Sequence, residues 1–332
     1  MITLVTGATG FIGSHLTRLL VRRGCRVRVL VRPGSRRQAI DNLPVEVVTG
    51  DLRDAASLAA AVAGVRRVFH AAADYRLWAR DPRDLYASNV EGTRHLLDAC
   101  RRIAIDRFVY TSSVATVAVP RGAALPDERT SAGLDEMVGH YKRSKLLAEQ
   151  EVLAAGTAGL PAIVVNPTTP VGPGDWKPTP TGRMIVDFLR GRMVAYLDTG
   201  LNLVPVEDVA AGHLLAAEIG RVGERYILGG RNMTLKEIFE ALAAVSGRPA
   251  PRMRMPYAVA LAAGLANEIF ARVSGREPPV PLEGVRMARH KMFVDASKAQ
   301  RELGFVPGSI EDALGRAVRW YLEHGYATGI RN

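Results

Sequence analysis

Short apolar runs alternate with helical patterns through the first half of the chain, and this alternation limits the fold more than any other feature. The apolar runs predict six buried strands, at Ile2–Thr6, Val27–Val31, Val45–Thr49, Val68–His70, Phe108–Thr111 and Ala162–Asn166. The helical patterns between them lie at Phe11–Arg23, Ala55–Val62, Leu85–Arg102 and Leu134–Ala155. Fully apolar strands that alternate with helices indicate a parallel sheet covered on both faces. The sequence therefore predicts an α/β fold with a Rossmann-type doubly wound parallel sheet over residues 1–166.

The composition changes after Asn166, where prolines and glycines predict a long irregular loop. Because this loop follows the sixth strand, we expect it to form a wall of the active site at the carboxyl edge of the sheet. Mixed elements follow, with helices near Met184–Leu189, Val206–Ala217, Leu235–Val245, Met255–Val273 and Ile310–His324 and a short strand at Tyr226–Leu228. Residues 167–332 are predicted to form mainly a smaller C-terminal substrate-binding lobe, with some elements returning to the main domain.

The charge and the cysteines narrow the class of function. The chain has 332 residues and a net charge of +11, but its arginines are scattered and no basic block interleaves with aromatic residues. A nucleic-acid partner is therefore not expected, whereas attraction of anionic small molecules is. Two cysteines, Cys25 and Cys100, show no metal-ligand spacing, so no metal site is predicted, and reduced thiols fit a cytoplasmic protein.

No secretory leader is evident at the start of the chain, which also favours the cytoplasm. The longest apolar stretch, Met255–Ile269, is interrupted by Asn267 and Glu268 and is too short for a stable membrane insertion. It is predicted to be a buried helix of the C-terminal lobe, with contact to a lipid-like substrate or a membrane surface as the alternative.

A glycine-rich turn, G-x-x-G-x-x-G, closes the first predicted strand and opens the first helix. Glycines at such a turn let the backbone approach a pyrophosphate, whose charge then meets the helix N-terminus. The alternative is a structural turn that packs helix on strand. The residues of this turn expected at a dinucleotide cofactor are Gly7, Thr9, Gly10, Phe11, Ile12 and Gly13.

The end of the second strand bears on the choice between NADP and NAD. An acid commonly grips the ribose 2′-hydroxyl of NAD at this point, but here Arg32 ends the strand and Arg36 follows closely. A guanidinium can clamp a 2′-phosphate, so NADP is favoured and NAD is the alternative. After the third strand, Asp51 is expected either to accept the adenine amino group or to cap a helix. The other residues expected at the cofactor are Leu52, Ala72, Ala73, Thr111, Pro167 and Thr168.

The stretch Tyr141–Lys145 reads Y-x-x-x-K, which places a tyrosine and a lysine on the same face of a helix. A tyrosine titrates near a pKa of ~10 in water. A neighbouring positive charge favours the phenolate, so we expect Lys145 to lower the pKa of Tyr141 and make it a usable acid or base. An ordinary surface helix is the alternative, but the upstream glycine turn argues against it.

Together these residues resemble the extended short-chain dehydrogenase/reductase family over nearly the whole chain. Tyr110–Thr116 matches the segment after the fifth strand, where the resemblance implies that Ser113 binds the substrate oxygen and Ser112 is its structural neighbour. Asn89–Thr93 matches the family's N-x-x-G-T, in which Asn89 would support the helix backbone and a proton-relay water. Asn166–Thr168 resembles the family's N-P-T beside the nicotinamide, and Val206–Ala210 its V-x-D-V-A element.

The narrower likeness is to dihydroflavonol-4-reductase-like enzymes and, among them, to bacterial hopanoid-associated sugar epimerases, through residues 73–78 and 176–183. Pro205 departs from the histidine expected in that group. The resemblance implies hydride transfer between NADP(H) and a ketone or secondary alcohol, with Lys145 also holding the nicotinamide ribose. An epimerase or dehydratase acting on a nucleotide-sugar with a recycled cofactor is the alternative, and a non-catalytic NADP sensor is disfavoured.

The substrate is expected to be a small molecule. Candidates for its wall, each of which could equally be core packing, are Tyr75, Trp78, Thr168 and Trp176. A homodimer is expected from the resemblance, through the helices near Leu85–Arg102 and Leu134–Ala155.

Overall fold

The structure is a computed structural model that describes residues 1–79, 81–117, 124–130, 133–275, 278 and 281–327. Its strands are β1 (Ile2–Thr6), β2 (Arg26–Val31), β3 (Glu46–Thr49), β4 (Val65–His70), β5 (Arg107–Thr111), β6 (Ala162–Pro167), β7 (Thr169–Val171), β8 (Ala195–Tyr196), β9 (Gly200–Pro205), β10 (Arg225–Leu228), β11 (Arg231–Thr234) and β12 (Met253–Arg254). Its α-helices are α1 (Phe11–Arg22), α2 (Ala55–Val62), α3 (Arg83–Tyr86), α4 (Gly92–Arg101), α5 (Gly139–Thr157), α6 (Pro180–Leu189), α7 (Val206–Ile219), α8 (Leu235–Ser246), α9 (Tyr257–Ser274), α10 (Leu282–Met287), α11 (Ser297–Leu303) and α12 (Ile310–Glu323).

The main sheet has seven strands in the order β10-β6-β5-β4-β1-β2-β3, and every adjacent pair is parallel. The strand order reverses between β1 and β4. The chain therefore leaves these two strands in opposite directions and opens a crevice at their carboxyl ends, where doubly wound sheets bind ligands. The predicted α/β fold with a parallel, doubly wound sheet is confirmed.

Helices cover both faces of this sheet. On one face α1, α7 and α11 pack over strand residues such as Val5 and Phe69, and on the other α2, α4 and α5 pack over residues such as Leu4 and Phe108. The middle residues of the central strands are mainly apolar because both faces of the sheet are buried there. This rigid layer fixes where each strand ends and so fixes the loops around the crevice.

The second part of the chain adds a smaller sheet and a separate apolar core. Strand β9 pairs in parallel with β7 and antiparallel with β11, and β8 pairs with β12. Helices α6, α8 and α12 enclose this core, in which the rings of Phe188 and Phe239 stack with centroids 5.7 Å apart. Strand β10 and helix α7 instead return to the main sheet.

Several predicted boundaries differ from the structure. Helix α5 begins at Gly139 and not at Leu134, because residues 134–136 form a turn and Gly139 has a φ of +83°. The helix predicted over Leu85–Arg102 is continuous, but Ala87–Glu91 winds as a π-helix between α3 and α4. Such a wide turn inside a helix occurs frequently at functional sites.

The prediction of a buried helix at Met255–Ile269 is wrong. Helix α9 lies at the surface, and Ile269, Phe270 and Val273 are 66%, 60% and 85% exposed. Only its narrow face of small residues, which includes Ala260, Gly264 and Ala271, is buried. Across the described residues, no helix combines the length and apolarity that crossing a membrane requires.

Candidate active site

The glycine turn lies in the crevice between β1 and β4. Gly7 has a φ of +71°, and a Cβ there would come within 2.5 Å of the Ala72 nitrogen. A Cβ on Gly13 would lie 2.1 Å from the Gly7 carbonyl oxygen, so α1 approaches the turn closely only because residue 13 is glycine. Gly10 is the exposed N-cap of α1, and its amide donates to the Gly7 carbonyl at 2.9 Å. The turn therefore presents a helix N-terminus without side chains, which fits a pyrophosphate.

Small residues form the opposite wall of the crevice. Ala71 and Ala72 follow β4, and their amides donate to the Thr6 carbonyl and hydroxyl at 3.2 and 3.3 Å. The Thr6 hydroxyl also lies 2.7 Å from Nδ1 of His70, whose Nε2 is 2.9 Å from the Thr93 hydroxyl. His70 is thus a fully hydrogen-bonded core residue, and burial lowers its pKa to about 3. The alanines leave room for a flat group against this wall, and Ala73 is exposed beyond them.

A surface pocket continues the crevice beyond β2 and β3. Its lining consists of Arg32, Pro33, Gly34, Ser35, Asp51 and Arg53. The guanidinium of Arg53 makes two bonds to the Asp51 carboxylate, at 2.8 and 3.2 Å. This interaction, with a smaller contribution from Arg32, lowers the pKa of Asp51. Arg53 was not predicted from the sequence, although it follows Asp51, which was predicted at the cofactor, by two residues.

Neighbouring residues of this segment have structural roles. Asp54, not Asp51, caps α2 by accepting from the Ala56 amide at 3.0 Å. Leu52 is buried, its carbonyl accepts from Nδ1 of His95 at 3.1 Å, and a Cβ on Gly92 would meet its side chain at 2.8 Å. Arg36 is exposed and lies outside the pocket lining.

Helix α5 places Tyr141 and Lys145 at the carboxyl edge of the sheet. Lys145 is 1% exposed, and its ammonium donates to the Tyr110 hydroxyl and the Thr111 carbonyl, both at 2.7 Å. Burial lowers the pKa of Lys145 to about 7, although the charge of Glu149 opposes this shift. The Thr111 hydroxyl in turn lies 2.7 Å from Nε2 of His213, which ties this strand end to α7.

The Ser113 side chain lies close enough to the Tyr141 hydroxyl to lower its pKa. Burial raises the pKa of Tyr141 and is the larger effect, and the nearby Glu283 carboxylate raises it further. The expectation of a lowered Tyr141 pKa is therefore wrong for this arrangement, because desolvation of the phenolate dominates. Tyr141 keeps its proton at neutral pH.

A buried carboxylate positions the segment that contains Ser113. Glu149, also on α5, accepts hydrogen bonds from Ser112, from Thr116 at 2.8 Å and from Asn166 at 2.8 Å. Its other oxygen accepts from Arg225 of β10 at 2.9 Å. Asn166 also donates to the Ser113 carbonyl at 3.1 Å. Glu149 and Arg225 were not predicted from the sequence as site residues, although Glu149 follows Lys145 by one helical turn.

Asn89 lies in the π-helical segment and links the loop after β4 to α5. Its side-chain oxygen accepts from the Asp74 amide at 2.7 Å, and its nitrogen donates to the Asp74 carbonyl at 2.9 Å and to the Ser144 hydroxyl at 3.0 Å. Ser144 then donates to the Tyr141 carbonyl at 2.9 Å. Asn89 thus fixes the position of Tyr141 relative to the loop.

A second carboxyl group, Glu283 of α10, lies against the first turn of α5. A Cβ on Gly139 would fall 1.7 Å from the Glu283 carboxyl carbon, so the carboxyl occupies the space that a side chain at position 139 would need. Its Oε1 is buried and has no hydrogen-bond partner among the described residues. Burial raises the pKa of Glu283 to about 7, although Lys142, Arg143 and Arg286 oppose this shift. No motif in the sequence marked this residue.

Three of the four residues predicted to form the substrate wall, Tyr75, Trp78 and Trp176, lie in two loops. The Tyr75 hydroxyl donates to the Lys177 carbonyl at 3.3 Å, which joins the loop after β4 to the loop after β7. Trp176 packs edge-on against Trp320 and His324 of the α12 region, with centroids 5.0 and 4.9 Å away. This contact anchors the loop after β7. Trp78, in the loop after β4, is half-buried.

The N-P-T segment ends β6. Pro167 pairs in register with Leu228 of β10, and the amide of the buried Thr168 donates to the Leu228 carbonyl at 3.1 Å. Pro205 is the buried N-cap of α7, opposite Val171 of β7. Within the described ranges, no three His, Cys, Asp or Glu side chains come together as a metal site would require.

The model of the NAD dependent epimerase/dehydratase family matches residues 3–229 of this chain. A relative from Synechocystis sp., called a putative dihydroflavonol 4-reductase, is 46% identical over 97% of this chain and 95% of its own length. Sterol demethylase protein B of Methylococcus capsulatus is 38% identical over 98% of this chain and 99% of its own. A ketoreductase of Stigmatella aurantiaca, named for a farnesyl dihydroquinoline oxide, is 33% identical over 92% of both chains.

Two solved structures match the fold of this chain over nearly its whole length. The crystal structure of gox2253 matches with a TM-score of 0.88 and 46% identity, over 98% of this chain and 99% of that one. A nucleoside-diphosphate-sugar epimerase from Pseudomonas aeruginosa matches with a TM-score of 0.81 and 28% identity, over 99% of both chains. The chain belongs to the NAD dependent epimerase/dehydratase family of extended short-chain dehydrogenases/reductases.

Proposed function

We propose that this extended short-chain dehydrogenase/reductase is an NADP(H)-dependent enzyme that interconverts a ketone and a secondary alcohol. The observation behind the proposal is the pair of neighbouring hydroxyls of Tyr141 and Ser113, at the sheet edge that holds the glycine turn. Lys145 lies one helical turn from Tyr141, in the same helix. An acid/base group, a hydroxyl that orients the substrate oxygen and a nearby ammonium are the side chains that this reaction needs.

Each group has a role that follows from its environment. The nicotinamide dinucleotide, when bound, supplies or accepts the hydride. Because its pKa is raised, Tyr141 is protonated at neutral pH and can donate that proton to a ketone oxygen. Ser113, held by the network around Glu149 and Asn166, orients this oxygen. Lys145 provides a buried ammonium beside Tyr110 and Thr111 that would hold the ribose hydroxyls of the nicotinamide half.

The preference for NADP rests on the pocket beyond β2. Two guanidinium groups, Arg32 and Arg53, and the Ser35 hydroxyl line it, and no acid ends β2. A 2′-phosphate would find charge-assisted donors there. The carboxylate of Asp51 is engaged by Arg53 on both oxygens, so Asp51 positions Arg53 in this proposal.

The names of the relatives favour an oxidoreductase with an apolar substrate. Among the relatives above, one is called a dihydroflavonol 4-reductase and one a ketoreductase, and a third is named for a sterol. The second candidate is a nucleotide-sugar epimerase that retains its cofactor, and it is favoured by the likeness to the Pseudomonas aeruginosa epimerase. The two candidates differ in whether the cofactor exchanges with solvent.

The first test is the cofactor itself. The proposal predicts that protein purified without added nucleotide retains less than stoichiometric cofactor, as measured by mass spectrometry after denaturation, and binds NADPH more tightly than NADH. Stoichiometric NAD in the purified protein would contradict it and support the epimerase.

Turnover with a panel of apolar ketones tests the chemistry. We expect Tyr141→Phe to lower kcat by about 10²- to 10⁴-fold, the usual contribution of a positioned acid/base group, while NADPH binding persists. Tyr196→Phe, in β8 of the smaller lobe, is the matched control and should keep wild-type turnover. Full turnover by Tyr141→Phe would remove Tyr141 from the reaction.

A further inference from the structure

Helix α9 presents an uncovered apolar face to solvent. At 100° per residue, its exposed apolar side chains fall in an arc of about 160° that contains no polar residue, and the exposed Arg272 and Ser274 lie just outside it. These exposed residues are Ala258, Val259, Ala262, Ala263, Leu265, Ala266, Ile269, Phe270 and Val273. Contiguous exposed apolar surface of this kind marks an interaction site on a soluble protein.

The opposite face fixes the helix in this orientation. Ala260, Gly264 and Ala271 are buried, and a Cβ on Gly264 would lie 3.2 Å from Val285 and 3.3 Å from Leu282 of α10. Glycine at this position lets α9 approach α10 closely. Rotating the apolar arc inward would replace these small contact residues with Ile269 and Phe270, for which this interface has no room. The arc therefore belongs to the outer surface of the fold.

Positive charge borders the arc. Arg252 and Arg254 are exposed immediately before α9, and Lys291 lies beside Arg254 because both approach Asp198, at 4.0 and 2.6 Å. Within the helix, Glu268 pairs with Arg272 at 3.2 Å and lies outside the arc. The whole chain has a net charge of +11. An apolar face with a basic border is the pattern of a helix that lies in the interface of an anionic membrane.

We propose that α9 docks this protein on the surface of an anionic phospholipid membrane, with its helix axis parallel to the bilayer. Val259, Ile269, Phe270 and Val273 enter the headgroup boundary, and the arginines at its border contact lipid phosphates. The helix lies on the membrane and does not cross it.

Charge favours lipid over a second copy of this chain. A two-fold contact through α9 would bring the basic borders of both copies together, and like charges facing each other oppose such a contact. An anionic membrane instead attracts the same basic residues.

The test is flotation of the full-length protein with lipid vesicles. Vesicles of phosphatidylcholine containing phosphatidylglycerol are compared with vesicles of phosphatidylcholine alone, at low and high salt. We expect binding to the anionic vesicles that weakens in high salt, because screening reduces the contribution of the arginines. The double variant Ile269→Glu/Phe270→Glu should lose at least about tenfold in vesicle affinity, since binding scales with the buried apolar area.

Val306→Glu is the matched control, because Val306 is an exposed apolar residue outside α9. It should float like the wild type. Sedimentation velocity of the wild type and the double variant in the absence of lipid tests whether a second copy of this chain binds the arc instead. The proposal is overturned if the wild type fails to float with anionic vesicles, if the double variant floats equally well, or if the double variant instead lowers the oligomeric state.

Discussion

Replacing Glu283 by glutamine should stabilise the protein at alkaline pH and leave it nearly unchanged at acid pH. In the wild type, burial raises the pKa of this carboxyl from 4.5 to about 7. The folded state therefore binds one more proton than the unfolded state between these two values, and stability falls as pH rises through this window. Glutamine has the same size and cannot ionise. The positive groups that face the carboxyl are Lys142, Arg143 and Arg286, and Glu268 opposes them.

The magnitude follows from the two pKa values. A shift from 4.5 to about 7, at about 1.36 kcal/mol for each pKa unit, makes the ionised carboxylate cost about 3 kcal/mol of folding free energy. This cost is absent below pH 4.5, grows between pH 4.5 and about 7, and is constant above. The difference in the free energy of unfolding between Glu283→Gln and the wild type should therefore grow by about 3 kcal/mol across the window.

Urea unfolding of both proteins over this pH range measures that difference, and groups whose pKa does not depend on Glu283 cancel in the subtraction. Glu218→Gln, at an exposed position at the end of α7, is the control and should give a difference that does not change with pH. A pH-independent difference for Glu283→Gln would refute the reasoning. The variant should also move the alkaline limb of the activity profile to lower pH, because it removes a negative charge that helps to raise the Tyr141 pKa.

Three further substitutions test the proposed cofactor site. Removing either guanidinium of the pocket beyond β2, by Arg32→Ala or Arg53→Ala, should weaken NADPH binding by about 10- to 100-fold in a fluorescence titration, since a hydrogen bond to a charged group contributes about 1.5–3 kcal/mol. NADH binding should change little. Arg37→Ala is the control, because Arg37 lies outside the pocket lining. Equal losses of NADPH and NADH affinity would contradict a 2′-phosphate site. Gly13→Ala should lower the free energy of unfolding by at least about 1–3 kcal/mol and abolish dinucleotide binding, because its methyl group would lie 2.1 Å from the Gly7 carbonyl. Gly284→Ala, where a Cβ meets only Leu77 at 3.9 Å, should be tolerated in the same assays.

The sequence was sufficient for most of the main sheet because strands such as β6 are buried on both faces and read as apolar runs. Strands β7, β8, β11 and β12 were missed because each has four residues or fewer, and β11 is also mixed, since Arg231 is exposed and Met233 is buried. Arg53, Glu149 and Glu283 were missed because their importance depends on contacts between distant parts of the chain. Apolar periodicity predicted the helix at α9 correctly, but it cannot distinguish a face covered by protein from one left open.

The α9 surface and Tyr141, the proposed acid/base, are linked through one short helix. Helix α10 packs against the small residues of α9 and, on another side, places the Glu283 carboxyl against Gly139, two residues before Tyr141. A displacement of α9 at a membrane surface would pass to α10 and change the separation between this carboxyl and the Tyr141 hydroxyl. Because the Glu283 charge raises the Tyr141 pKa, the pH dependence of turnover is where such a displacement would be detected. Activity profiles of the wild type with and without anionic vesicles should then differ in their alkaline limb, and those of Glu283→Gln should not.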